Sequence, residues 1–292
     1  MSKWVDIIDS KGTTRITDDF ARLQFLDFQE EDVQTTINSL EVKGTDGVLV
    51  GSSTFAPFKL ILRFAYVGTD IKDYHLFKTR IRQTIYKREA YYIVQSDMPA
   101  RKYAVLPSSI SYEDKYGKNG EITIEFTVFK GYAESLKDTS DITFLTDYWQ
   151  WENGVVTDNI AYSFDRPRFS VWNGSFDTID PLMRHELVIE IKGVSDNGIT
   201  ITNHHTGDVF KYNKSLSQGK TLKIDGVHPY LNSDRVGIDT NHEFIKLDPG
   251  WNNIEIAGLK GDIKVNFKFS FIYRWFILYN PIHLWYIIYK DK

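Results

Sequence analysis

The stretch FKLILRFAY, residues 58–66, alternates along its length. Lys59 and Arg63 fall on one parity, and the other parity carries only apolar or aromatic residues, namely Phe58, Leu60, Leu62, Phe64 and Tyr66. Because successive side chains of a strand point to opposite faces, this period of two predicts a half-buried β-strand. Similar short runs recur on both sides of it between Gly, Asp, Asn and Pro residues, so the chain is predicted to be mainly β.

Composition supports the same class of fold. The 292 residues are 42% hydrophobic and 25% charged, which is typical of a globular chain, and this length predicts two domains rather than one. Phe, Tyr and Trp together make up 15% of the chain. Aromatic residues are enriched in strands, so this excess also favours β-structure.

One segment breaks the strand pattern. Residues 69–90 carry apolar side chains at steps of three and four: Ile71, Tyr74, Phe77, Ile81 and Ile85. This spacing predicts an amphipathic helix over about 70–89. Asp70 is a suitable N-cap, and Asp73 lies in the first turn, where the helix dipole favours an anion.

A polar stretch with almost no periodicity, residues 134–141, marks the predicted boundary between two modules. Residues 1–137 are predicted to form an N-terminal β-sandwich with one helix. Residues 138–278 contain many short strands at regular intervals, which indicates a second sandwich of jelly-roll type. Residues 279–292 form an apolar tail. The apolar stretch 269–292 is interrupted by Arg274, Asn280, Pro281 and His283, too often for a membrane span, so the tail is expected to dock on the protein or on a neighbour rather than to contact a membrane.

Several classes of function are disfavoured by composition. The sequence contains no cysteine, which excludes disulfides, thiolate nucleophiles and cysteine-based metal sites. The formal net charge of −4 gives no basic field, so sequence-specific binding of nucleic acid is not expected. The N-terminus has early charges and no long apolar run, so we expect no secretory signal and folding in a cytoplasm.

No motif for a cofactor, a metal ion or a nucleophile fits its sequence context. The Gly219–Lys220 pair lacks the upstream glycine and the following helix of a phosphate-binding loop. His204 and His205 are adjacent, and neighbours on a strand point to opposite faces, so a hairpin tip is favoured over a metal site. The sequence also lacks a serine-nucleophile elbow. The chain is therefore predicted to have no cofactor, no metal and no catalytic residues.

Tryptophans of the second half are the remaining candidates for contact with a ligand. Trp149, Trp151 and Trp251 lie among strand-forming residues, where exposed rings could stack on sugar faces or on a partner protein. The alternative is burial in a core or an interface, which is the more common fate of a large aromatic side chain. Trp251 follows the Pro249–Gly250 turn, in which glycine supplies the positive φ of a tight turn.

The order of elements resembles a known family. ITNHHTGDVFKYNKSLSQGKTLKIDG (residues 201–226), LDPGWNNIEIAG (247–258) and DIKVNFKFSFIYRW (262–275) are similar, in that order, to the C-terminal module of siphophage distal tail proteins. In the first half, VKGTDGVLVGSSTFAPFKLILRF (42–64) resembles the early turn and long strand of the same family. The resemblance covers about residues 15–278.

This resemblance implies a non-enzymatic structural protein of the phage baseplate, located in the virion at the tail tip. In that family, the N-terminal sandwich forms a hexameric ring between the tail tube protein and the tail-associated hub or lysin protein. The tape measure protein and DNA pass through its lumen. The C-terminal sandwich is galectin-like, and it supports a receptor-binding protein or contacts host glycans.

A second function stays open on the residues alone. The chain could be a carbohydrate-binding or carbohydrate-active protein that presents Trp149, Trp151 or Trp251 to glycans of a host surface. Paired-acid glycoside hydrolysis needs two carboxyl groups at a defined separation, which a sequence does not show. A surface adhesin is a third alternative, and the missing secretory signal disfavours it.

Overall fold

Antiparallel strands dominate the described residues, which are 3–115, 117–141 and 160–274 of a computed structural model. The first half contains β1 (Val5–Asp9), β2 (Gly12–Arg15), α1 (Ile16–Asp19), β3 (Leu23–Glu30), β4 (Thr35–Leu40), β5 (Leu49–Phe55), β6 (Phe58–Val67), α2 (Ile71–Ile85), β7 (Tyr91–Gln95), β8 (Met98–Lys115) and β9 (Asn119–Ser135). The predicted mainly β class is confirmed.

The second half consists of short strands. They are β10 (Ser163–Phe164), β11 (Arg168–Asn173), β12 (Leu187–Val194), β13 (Ile199–Asn203), β14 (Val209–Tyr212), β15 (Thr221–Asp225), β16 (His228–Leu231), β17 (Asp234–Arg235), β18 (Gly250–Ala257), β19 (Lys260–Phe269) and β20 (Ile272–Tyr273). Two 3₁₀ helices, Pro181–Met183 and Gly237–Asp239, lie between them. None of the helices in the described ranges is long and apolar enough to cross a membrane.

An eight-stranded antiparallel sheet organises the first half, in the order β2–β1–β7–β8–β9–β6–β3, with β20 added beside β9. β6 lies between β3 and β9, and its alternation is confirmed, because all five residues of the apolar parity are buried: Phe58, Leu60, Leu62, Phe64 and Tyr66. Helix α2 covers this sheet, with the Phe77 ring stacked on Tyr66 at a centroid distance of 3.8 Å. The predicted strand and the predicted helix thus build one core.

The helix begins as predicted and ends earlier. The Asp70 carboxylate accepts a hydrogen bond from the Asp73 amide at 2.8 Å, which confirms the N-cap. The helix ends at Ile85 rather than near residue 89. The Tyr91 hydroxyl donates a hydrogen bond to the Ile85 carbonyl at 2.7 Å, so this carbonyl has a partner without a further helical turn. A second helix, α1, was not predicted, because it forms one turn and is too short for a periodic signal.

A separate two-stranded sheet, β4–β5, projects from the first half, and we call residues 35–55 the arm. Every residue of β4 is exposed, and Leu40 lies directly opposite Leu49 across the hairpin. Exposed large apolar side chains recur along this segment: Ile37, Leu40, Val42, Val48, Leu49 and Val50. The arm therefore presents apolar surface to solvent in the isolated chain.

A two-layer sandwich forms the second half. A six-stranded sheet, β10–β19–β12–β15–β16–β17, faces a four-stranded sheet, β11–β18–β13–β14. Phe169 of the smaller sheet stacks on Phe164 of the larger one at a centroid distance of 3.9 Å, and it meets Phe267 edge-on at 5.8 Å. Apolar side chains of both sheets thus share one interior, as predicted for the second module.

The second sandwich connects to the first half at a seam formed by the end of β9 and the last described strand. β20 pairs with β9, with Tyr273 opposite Ala133. Next to this pair, the Ser135 amide donates to the Phe271 carbonyl at 2.8 Å. Further along, the Thr139 hydroxyl donates to the Phe267 carbonyl at 2.9 Å. The chain segments that leave the first half and return to it are therefore hydrogen-bonded to each other.

Arg274 closes this seam. Its guanidinium lies 3.8 Å from the centre of the Phe55 ring, at the base of the arm, and 5.6 Å from that of Tyr132 in β9. Its Nε donates to the Asp177 carboxylate, in the second sandwich, at 2.7 Å. One buried cation thus contacts the arm, the large sheet and the second sandwich.

Candidate functional site

The outer face of the four-stranded sheet carries a row of paired polar and aromatic side chains. In β11 and β18 buried and more exposed residues alternate, so every second residue points away from the core. The register sets these residues opposite one another in three pairs, which we call the outer ladder: Arg168 with Glu255, Ser170 with Asn253, and Trp172 with Trp251. Charge, amide and aromatic groups therefore follow one another along a rigid surface.

Glu255, in the outer ladder, contacts two basic side chains. The Nε and Nη2 atoms of Arg168 donate to its Oε1 at 3.0 and 2.7 Å, and His204 Nε2 lies 2.9 Å from its Oε2. The Arg168 guanidinium, and after it the His204 ring, hold the pKa of the Glu255 carboxyl below its ordinary value. Glu255 is thus an ionised acceptor at neutral pH.

An open cleft of about 890 Å³ lies over the outer ladder. Its lining includes Asp165 and Arg166, which follow β10, and His204, which follows β13. The charged lining contains both signs, with Asp165 and Glu255 against Arg166 and Arg168. A site of this composition suits a ligand that offers donors and acceptors together rather than a strongly charged one.

Of the three tryptophans predicted to contact a ligand or a partner, the structure places Trp251 in this cleft. Trp251 is 41% exposed, and Trp172 supports it edge-on at a centroid distance of 5.2 Å. Trp149 and Trp151 lie outside the described residues.

The adjacent histidines diverge, because His204 contacts Glu255 whereas His205 lies 4.0 Å from Asp248. Across the described ranges, no cluster of three or more His, Asp or Glu residues is arranged to hold a metal ion.

Asn252 holds the turn before Trp251, and sequence reasoning did not single it out. It is fully buried. Its Oδ1 accepts from the Asp248 amide at 2.9 Å, and its Nδ2 donates to the Asp248 carbonyl at 2.7 Å. Gly250 has φ of 91°, as the Pro–Gly turn predicted. An asparagine on the inward parity of β18 is a sequence signal that would have identified this role, because buried polar side chains are hydrogen-bonded.

Replacing the buried Asn252 by alanine is expected to destabilise the fold by about 2 kcal/mol, because the partly buried Asp248 amide and carbonyl both lose their partners. Asn253→Ala is the matched control. The exposed Asn253 side chain accepts a hydrogen bond from the Ser170 hydroxyl at 2.8 Å on the surface, where water can replace it, so stability should change by less than about 0.5 kcal/mol. Urea unfolding measures both values. Equal effects of the two substitutions would contradict the role given to Asn252.

Comparison with known proteins adds to this geometry. Residues 10–128 match the model of a family described as the phage tail protein RIFT-related domain. The first half of the chain is therefore similar to a phage tail domain. The matched range includes β3, the arm, β6 and α2. The resemblance to phage tail proteins that the sequence indicated is therefore confirmed for this part of the chain.

The fold similarity extends beyond the phage tail domain. The crystal structure of the Dit protein of phage SPP1, described as a paradigm of the hub adsorption apparatus in phages that infect Gram-positive bacteria, matches 93% of this chain and 100% of its own. Its TM-score is 0.66 at 10% sequence identity, so the chain has a Dit-like fold.

A chain of the activated baseplate of phage P2 with Ca is a more distant match, with a TM-score of 0.42 at 9% identity. It covers 93% of this chain and 98% of its own. No curated protein sequence matches the chain.

Proposed function

We propose that this protein is a structural, non-enzymatic distal tail protein of a long non-contractile phage tail, located in the baseplate at the tail tip. The phage tail domain at residues 10–128 carries this proposal, and the Dit-like fold of the whole chain supports it. Six copies form a ring through residues 1–137, and the sandwich of residues 138–278 projects from that ring.

The arm is the surface that best fits a contact between copies. A two-stranded hairpin is marginally stable in water by itself, and large exposed apolar patches mark interfaces. In the arm, Leu40 of β4 lies opposite Leu49 of β5, and both side chains are exposed, Leu40 to 64%. If the arm of one copy contacts a different surface on the next copy, the interface is heterologous. Heterologous interfaces close into a ring when a whole number of copies completes a rotation of 360°.

The ring joins the tail tube protein to the tail-associated hub or lysin protein, with the tape measure protein inside. A receptor-binding protein or a host glycan contacts the projecting sandwich. The formal charge of −4 on each copy suits a lumen that DNA traverses, because retention of DNA depends on phosphate neutralisation by basic residues.

The solution mass of the purified chain tests this function. We expect a species of six times the 33.9 kDa chain mass by light scattering, and rings with a central hole by negative-stain microscopy. A chain that stays monomeric at high concentration and yields no rings would overturn the proposal.

A further inference from the structure

We propose that protonation of His185 loosens the contact between the second sandwich and the first half, so that the seam opens more readily in acid. This inference goes beyond the proposed ring, because it concerns how the two halves of one chain are joined. It is carried by the position of His185, by the two backbone groups that share one of its nitrogen atoms, and by the charges around its ring.

His185 lies at the seam. It belongs to the second sandwich, two residues before β12, and it is 5% exposed. Its imidazole ring meets the buried Tyr132 ring of β9 edge-on, with the two centres 5.1 Å apart. The Arg274 guanidinium lies 5.6 Å from the centre of the same Tyr132 ring. A neutral imidazole suits this position, whereas an imidazolium would be a buried charge close to a cation.

The Nδ1 atom of His185 has two backbone neighbours. It lies 3.1 Å from the Asp180 amide nitrogen and 3.0 Å from the Thr178 carbonyl oxygen. In the neutral ring with its hydrogen on Nε2, Nδ1 accepts from the Asp180 amide. In the protonated ring, Nδ1 donates to the Thr178 carbonyl instead, so the amide loses this acceptor. Protonation therefore changes the hydrogen bonding of the segment that follows Asp177, the partner of Arg274.

Burial, and after it the Arg274 guanidinium, lowers the pKa of His185 below its ordinary value. The Thr178 carbonyl and the carboxylates of Asp177 and Asp180 act in the opposite direction, and they do not cancel this effect. Asp177 already pairs with Arg274 at 2.6 Å, which limits its attraction for a second cation. The closed seam therefore favours the neutral imidazole.

The other charged groups around this imidazole are paired among themselves. Lys246 lies 3.5 Å from Asp180. On β9, Lys130 lies 2.7 Å from Glu134, on the same parity as Tyr132. Burial raises the pKa of the Tyr132 hydroxyl to about 12, so this group stays neutral. The imidazole is therefore the group whose charge is expected to change here between about pH 7 and pH 5.

Acid favours the open seam because the open state binds the proton more tightly. In the open state His185 is solvated and has its ordinary pKa of 6.5, whereas in the closed state its pKa is lower. The closed seam keeps its full stability above pH 6.5 and loses it as the pH falls toward the lower pKa. One proton changes the opening equilibrium by at most about tenfold for each pH unit.

Hydrogen exchange of the Ser135 amide in the full-length chain tests the inference. This amide donates to the Phe271 carbonyl at 2.8 Å across the seam, so it exchanges when the seam opens. After division by the intrinsic exchange rate at each pH, the opening equilibrium should be at least about threefold larger at about pH 5 than at about pH 7. His185→Asn keeps an acceptor near the position of Nδ1 and does not titrate, so its opening should change by less than about 1.5-fold.

His242→Asn is the matched control. His242 is an exposed histidine of the same sandwich, and its φ of 61° is one that asparagine tolerates. This variant should show the pH response of the unmodified chain. Equal opening of the unmodified chain at both pH values would overturn the inference, as would a His185→Asn variant that retains the full response.

NMR titration of the His185 imidazole in the unmodified chain gives a second measurement, which does not depend on the folding of any variant. A pKa below 6.5 agrees with the inference, and a pKa at or above 6.5 contradicts it. Light scattering at both pH values reads ring formation separately, so a missing pH response leaves the ring proposal standing.

Discussion

A chain that carries Leu40→Asp together with Leu49→Asp is expected to remain folded and to lose the ring. The two leucines face each other on the arm and are 64% and 61% exposed, so the substitutions leave the cores intact. In an assembled ring they would place two carboxylates in an apolar contact. We expect a penalty of at least about 3 kcal/mol per contact, more than a hundredfold in affinity. Light scattering should then report the monomer mass.

Ile238→Asp together with Leu182→Asp is the matched control for this experiment. Both residues are exposed and apolar, but they lie in the second sandwich, away from the arm. This control chain should form rings of the same mass as the unmodified protein. Rings that persist in the arm variant would show that the contact between copies lies elsewhere, whereas loss of rings in both variants would show a general effect of added charge.

Arg274→Ala is expected to cost about 2 kcal/mol of unfolding free energy, within the usual range for loss of a buried side chain's contacts. The arginine is 8% exposed, pairs with Asp177 and stacks on Phe55, so its loss removes an ion pair and packing at the seam together. The Asp177 side chain is one-third exposed, so water can solvate its charge in the variant, and most of the cost comes from the lost packing of the buried arginine. Urea unfolding at a fixed protein concentration measures this loss.

Arg168→Ala serves as the comparison, since the Arg168 side chain is 77% exposed and its pair with Glu255 lies on the surface. Exposed pairs contribute less than about 1 kcal/mol. If Arg274→Ala and Arg168→Ala shifted the urea midpoint equally, Arg274 would have no special role at the seam.

Local patterns predicted the elements that bury one face. The alternation of residues 58–66 and the three-to-four spacing of 71–85 each reflect a single face packed on a core, and both elements are present. The Pro–Gly turn was also predictable, because only a few residue types adopt positive φ readily. The early end of α2 was not, since its partner, Tyr91, comes from the strand that follows the helix.

The seam and the cleft depend on pairings across long stretches of sequence. Arg168 and Glu255 are 87 residues apart, and Thr139 and Phe267 are 128 apart. Sequence periodicity gives the face of each strand but not its neighbour or its register. For this reason, Trp251 was identified as a candidate from residue type, whereas its polar companions Glu255 and Arg168 were not.

The seam also determines how the second sandwich responds to load. A module on one flexible connection can swivel and absorb a pull. In this chain the outgoing segment at Ser135 and Thr139 is hydrogen-bonded to the returning segment at Phe267 and Phe271, and β20, the last described strand, is part of the large sheet. Because these two segments lie side by side and are hydrogen-bonded, the sandwich cannot rotate freely about one of them alone. A sideways force on the sandwich is therefore expected to be transmitted to the first half and not absorbed at the connection between them.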